Sequence, residues 1–178
     1  MLTGSIKGRK LKVPKGKSVR PTTSRVKKSI FDTLGEIKGL KVLDVFSGTG
    51  GLGIEAMSRG AEYVTFIEKN PQVFKVLCSN VTQCGFMDIS ELICSDYLGG
   101  IKKLIKENKK FDIVFVDPPY DLYSTKTVYD LIDSASDLIA MEGLAIIEHD
   151  HEIKDELKGF TTTTRPFGGT KVSYFVRI

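Results

Sequence analysis

Five stretches of the chain are apolar at nearly consecutive positions: KVLDVF (41–46), YVTFIE (63–68), ELICSD (91–96), FDIVFVD (111–117) and LAIIEH (144–149). A strand that is apolar on both faces belongs inside a parallel sheet covered by helices. The intervening segments 51–59, 71–83, 98–108 and 124–140 carry apolar residues at helical spacing and predict the covering helices. After residue 159 the period changes to two, and FTTTTRPF and TKVSYFVRI flank Gly168 and Gly169 as the arms of a β-hairpin would. Five strands in β-α alternation closed by an antiparallel hairpin predict an α/β, doubly wound, mostly parallel seven-stranded sheet.

The start of the chain follows a different pattern. Segment 1–20 predicts a short β-hairpin, with bends near Gly4 and Gly8 and KLKVP as an edge strand ended by Pro14. In RPTTSRVKKSIFDTLG a helix is expected, with an N-cap among Thr22 to Ser24, an apolar face of Val26, Ile30, Phe31 and Leu34, and a stop at Gly35. Charge separates the same region from the rest. Residues 1–28 hold ten Lys or Arg and no Asp or Glu, so the net +4 of the chain leaves about −6 on residues 29–178. A basic arm on an acidic body suits a polyanionic partner, and Lys10, Lys12, Arg20 and Arg25 are the candidate RNA phosphate contacts. Arg20, which precedes Pro21, is equally suited to a ligand carboxylate in the neighbouring cleft.

With 178 residues, the chain has room for one domain with a proper core, expected over 36–178, plus the arm over 1–35. No apolar run approaches the roughly 20 residues that span a bilayer, and no signal peptide follows Met1. A cytoplasmic monomer without a membrane partner is expected. Cys78, Cys84 and Cys94 form no C-x-x-C pair and are expected as thiols. His149 and His151, in EHDH, lack further ligands nearby, so no metal is expected and both read as solvated loop residues.

The candidate chemistry lies at strand ends. Gly48, Gly50 and Gly53 stand in G-x-G-x-x-G register between a strand and a helix, which marks an anion or nucleoside site. Asp44, four residues before Gly48, would repel a pyrophosphate and suits the cationic amino-acid end of S-adenosylmethionine (SAM). Glu68, ending the next strand, can accept ribose hydroxyls, and Asp96 with its neighbour Tyr97 can reach an adenine. The fourth strand ends in Asp117-Pro118-Pro119-Tyr120. Two prolines there give a rigid ridge of carbonyls. The Asp117 carboxylate and the Pro118 carbonyl can accept both hydrogens of a nucleobase amine and turn its lone pair toward a methyl donor, while Tyr120 stacks on the base. An NAD-dependent oxidoreductase would use the glycine loop but leave this tetrapeptide unexplained. A non-catalytic RNA-binding module with the same fold is a further alternative.

DVFSGTGGLGIEAMSRGA, FIEKN and DPPY together resemble the class I SAM-dependent methyltransferases that act on amino nitrogens. More narrowly, TGSIKGRKLKVPKG, RPTTSRVKKSIFDTL and GGTKVSYF are similar to the RsmD family of 16S rRNA guanine-N2 methyltransferases. The resemblance covers essentially the whole chain. It implies a Rossmann-like class I methyltransferase fold, SAM as donor, and a guanine of 16S rRNA in an assembling or assembled small subunit as acceptor. By matching positions it implies SAM against Asp44, Ser47, Gly48, Gly50, Glu68 and Asp96, and the target amine against Asp117, Pro118 and Tyr120. Apart from the resemblance, DPPY would serve adenine N6 or a protein amide equally well.

Overall fold

A computed structural model describes residues 2, 4–14, 24–119, 122, 127–152 and 157–178. Its seven strands are β1 (Lys41–Val45), β2 (Tyr63–Glu68), β3 (Ser90–Cys94), β4 (Phe111–Val116), β5 (Ile139–His149), β6 (Phe160–Phe167) and β7 (Thr170–Arg177). They form one sheet in the order β3-β2-β1-β4-β5-β7-β6. The first five are parallel, and β7 runs antiparallel to both β5 and β6. The order reverses between β1 and β4, the switch point where such sheets open a crevice at their carboxyl ends.

Alternation along the strands divides the core into two apolar layers. Val42, Val64, Phe66, Ile113, Phe115 and Ile146 face one layer, covered by α1 (Ser24–Leu34), α2 (Gly51–Ser58) and α3 (Pro71–Cys84). Leu43, Val45, Ile67, Val114, Val116 and Ile147 face the other, covered by α4 (Tyr97–Lys106) and α5 (Val128–Ala135). Gly53 lets α2 lie flat on the first layer: a Cβ there would fall 2.2 Å from the Phe66 ring. None of the described helices is long and apolar enough to cross a membrane.

Helix α1 joins the core through Val26, Ile30 and Phe31, with the Phe31 and Phe115 rings 5.7 Å apart. Its polar side is clasped as well. Glu55 of α2 is 1% exposed and receives Arg59 at 2.9 Å and Lys27 of α1 at 3.6 Å, while the Arg59 guanidinium lies 4.6 Å from the Phe31 ring centre. Lys27 is one turn before Phe31, and Glu55 one turn before Arg59. The two helices therefore run parallel, with both N-termini at the carboxyl edge of the sheet.

The expected 124–140 helix is shorter than its apolar pattern. α5 stops at Ala135, a 3₁₀ turn covers Ser136–Leu138, and β5 begins at Ile139. Ile139 pairs with Phe111, and the strand then bulges where Glu142 has φ 62°, before pairing resumes at Ile113 and Leu144. The apolar stretch that reads as the end of a helix is the first part of a buried strand. The expected N-terminal hairpin is absent among the described residues. Gly4–Ile6 form a 3₁₀ turn, the Gly8 N–H bonds the Leu2 carbonyl at 3.0 Å, and residues 11–14 pair with no strand. The terminal hairpin forms as expected, turning at Gly168 with φ 62°.

Candidate functional site

The site is built where β1 hands over to α2. Phe46 leaves the strand with φ 62°, a left-handed conformation that costs a non-glycine residue about 1 kcal/mol or more. Its ring packs 5.1 Å from that of Tyr97, at the start of α4. Ser47 is buried, and its hydroxyl faces the carbonyls of Asp44 (2.6 Å) and Ile67 (3.1 Å), so it fastens the loop to the sheet. Gly48 has φ 54° and donates its N–H to Glu68 Oε2 at 2.9 Å. Gly50 has φ 87°, and a Cβ on it would fall 2.6 Å from Leu77, so packing against α3 also demands glycine there.

Glu68 ends β2 with its other oxygen accepting the Asn70 N–H at 2.7 Å. Each oxygen of a carboxylate has two lone pairs, so two acceptor positions remain for hydroxyls. Asp44 is 2% exposed and accepts the Gly53 N–H at 2.9 Å. Burial pushes its carboxyl up to about 7, opposed by the Gly53 hydrogen bond and reinforced by the negative charges of Asp117 and Glu68. Carboxylates from β2 and from the end of β4 thus act on Asp44 of β1 at the switch point. Asp96 lies beyond the end of β3 rather than closing it: it caps α4, accepting the Gly99 N–H at 2.9 Å, and is exposed. Serine and aspartate commonly leave a strand for such a cap.

The tetrapeptide follows β4 directly. Asp117 is half-buried, Pro118 buried and Pro119 exposed. The Pro119 carbonyl accepts the Leu122 N–H at 3.0 Å and so closes a turn. Tyr120 and Arg20 lie outside the described residues. Of the remaining arm candidates, Lys10 and Arg25 are exposed, and Lys12 donates its ammonium to Ser79 at 2.9 Å.

One residue absent from the sequence reading ties arm and loop together. Asn80 of α3 is 1% exposed; its Oδ1 accepts the Lys12 N–H at 2.8 Å, and its Nδ2 donates to the carbonyls of Lys12 (3.1 Å) and Thr49 (2.9 Å). An amide on the apolar stripe of Val73, Leu77 and Val81 is the signal that marks it. His149 also differs from its expected solvated place. It is 1% exposed at the end of β5, with Nε2 2.7 Å from the Ser173 hydroxyl, and burial lowers its pKa. His151 is exposed as expected. Among the described residues no group of His, Cys, Asp or Glu could hold a metal ion, and the three cysteines are thiols.

The donor set suits SAM. Asp44, drawn toward neutrality by burial and by two neighbouring carboxylates, would gain from an adjacent cation, which favours its ionised form. Glu68 offers acceptors for two ribose hydroxyls, and the Phe46 and Tyr97 rings offer an apolar wall for a purine.

The sequence pattern of the family described as Conserved hypothetical protein 95 matches residues 1–176. A Bacillus subtilis protein named "Putative rRNA methyltransferase YlbH" is 35% identical over 98% of this chain and 97% of its own length. "Ribosomal RNA small subunit methyltransferase D" of Escherichia coli K12 is 32% identical over 85% of this chain and 75% of its own. Among solved structures, the Escherichia coli protein named "Putative methyltransferase yhhF" superposes with a TM-score of 0.84 at 26% identity, covering 98% of this chain and 95% of that one.

Proposed function

Since the chain belongs to the family described as Conserved hypothetical protein 95, to which the RsmD-type methyltransferases belong, we propose that it is a SAM-dependent rRNA methyltransferase acting on the exocyclic N2 of a guanine in the small subunit's 16S rRNA. The observation that carries this reading is the register of β1 with β4: Asp44 pairs with Phe115 and Val45 with Val116, so Asp44 and Asp117 stand near the same end of two adjacent parallel strands. The glycine loop and Asp117 are far apart in sequence, yet the strands that lead into them, β1 and β4, are parallel neighbours at the switch point of the sheet.

SAM supplies an electrophilic methyl group, so the work left to the protein is placement. Glu68 holds the ribose, Asp44 faces the amino-acid end, and Phe46 and Tyr97 flank the adenine. Asp117 and the Pro118 carbonyl accept the two hydrogens of the guanine amine, which brings its lone pair, otherwise delocalised into the ring, toward the donor. Tyr120 stacks on the base. The methylated nitrogen is acidic enough to release its proton to water, so Asp117 orients the amine without having to serve as its base. Lys10, Lys12, Arg20 and Arg25 hold phosphates of the small subunit, where rRNA and its bound proteins present the target to a monomeric enzyme in the cytoplasm.

The reading is tested by incubating the protein and labelled SAM with small subunits purified from cells that lack it, then digesting the RNA to nucleosides. Label in N2-methylguanosine is the expected result. Label in N6-methyladenosine or in ribosomal protein would replace guanine with another amino acceptor.

A further inference from the structure

The strand that follows the DPPY segment carries an acid that the proposed reaction has not used. Val116 of β4 is the register partner of Ile147 of β5, and each is followed by a carboxylate, Asp117 and Glu148. Neighbouring strands lie about 4.8 Å apart, so equivalent side chains on one face are neighbours. Glu148 shares the parity of Leu144 and Ile146, and it stands opposite Val172 of β7; Ile146 and Val172 belong to the layer that also holds Phe115. It is therefore on the same face as Asp117, Asp44 and Glu68, one strand farther from the glycine loop. It is half-buried among these apolar neighbours.

Position and chemistry together suggest a role. The donor occupies β1 and β2, and the amine is held at the end of β4, so the rest of the base must extend over β5. On a guanine, the atom beside the N2 amine is N1, which carries a hydrogen. On an adenine it is a lone pair. A carboxylate accepts only, so it attracts the first and repels the second. We propose that Glu148 accepts the N1–H of the target guanine and so determines that the enzyme selects guanine over bases bearing a lone pair at N1. The inference rests on the guanine reading above and adds the residue that reads the base.

The test uses the full chain and small subunits reassembled around 16S rRNA with either guanine or 2-aminopurine at the methylated position. 2-Aminopurine keeps the amine but has a lone pair at N1. The wild type should prefer guanine by tenfold or more, on the order of one hydrogen bond to a charged group. Glu148→Gln should lower kcat/KM on guanine by about 10- to 150-fold, leave the Kd for SAM and the melting temperature near wild type, and bring the guanine to 2-aminopurine ratio close to one. Glu148→Asp, which keeps the charge on a shorter stem, should retain part of the preference and serves if the glutamine variant does not fold. An unchanged ratio in a folded variant overturns the role of Glu148, as does a loss of SAM binding in step with activity, which would make the residue structural. If the wild type makes no N2-methylguanosine from guanine subunits, the substrate reading fails first and takes this inference with it.

Discussion

Around β1 and β2 the chain braces the site with its own backbone: Glu68 fixes two amide groups, Asp44 a third, Ser47 faces two carbonyls, and Asn80 reaches a fourth segment of chain. Around β4 and β5 the means are different, since two proline rings and the strand register set the positions of Asp117 and Glu148. In the proposed reading the first region would hold a ligand whose parts are fixed, which a net of directional bonds suits. The second would admit a base delivered by a large partner, for which a stiff edge with acceptors is more useful than a closed net. Damage to the first region should therefore appear as lost SAM affinity, and damage to the second as lost turnover.

Asp117→Ala tests that separation most severely. Turnover should fall by at least about 10²- to 10³-fold, the scale of losing one preorganised contact to the reacting group, with SAM affinity within a few-fold of wild type by calorimetry. A variant that still methylates small subunits at the wild-type rate would remove Asp117 from the reaction. Asn80→Ala should behave in the opposite way. It strands the Lys12 and Thr49 groups it now satisfies, at about 1–3 kcal/mol, and thermal melts and SAM titrations should both register the loss while kcat at saturating SAM changes least.

Titration of Asp44 sharpens the picture of the braced half. Its carboxyl is raised from 3.8 to about 7, chiefly by burial, so the folded protein without ligand binds a proton that the unfolded chain releases. That contribution to stability is complete below about pH 4 and disappears as the pH rises through about 7. The ammonium of SAM favours the ionised form, so binding should expel the proton. The Kd should fall by close to tenfold per pH unit below pH 7 and level off above it, while Asp44→Asn should show a flat profile. The smallest effect is expected at the arm: Arg25→Ala or Lys10→Ala should each reduce the slope of log affinity against log salt for RNA by about 0.7 to 0.9. A slope equal to wild type in a filter-binding series would take that side chain away from the phosphates.

The sequence showed the strands well because burial on both faces leaves an unbroken apolar run, and it placed Asp44, Glu68 and Asp117 near strand ends for the same reason. It misread three places where a local pattern was satisfied by a distant partner. Alternating Ile6, Leu11 and Val13 resemble an edge strand, but the backbone at Lys12 is paired by the Asn80 side chain instead. The segment after Ala135 keeps helical spacing, yet Ile139 is held by β4. His149 stands among polar residues in sequence, and its pairing with β7, which brings Ser173 and Thr170 against it, is not legible there. Glu148 was in view as the E of LAIIEH, but its meaning depends on the register with β4, which no single strand encodes.

The contact between Phe31 and Phe115 bears on how the protein comes to life on a translating ribosome. Helix α1 is made early, but the aromatic partner that receives it belongs to β4, and much of the chain must be synthesised before that strand exists. Until then the basic segment can reach Glu55 of α2 and Asn80 of α3 but lacks the aromatic floor under Phe31. Helix α1 is therefore fully packed only once the strand that leads into the acceptor tetrapeptide has been made, so an unfinished chain should lack both a complete seat for α1 and the chemistry.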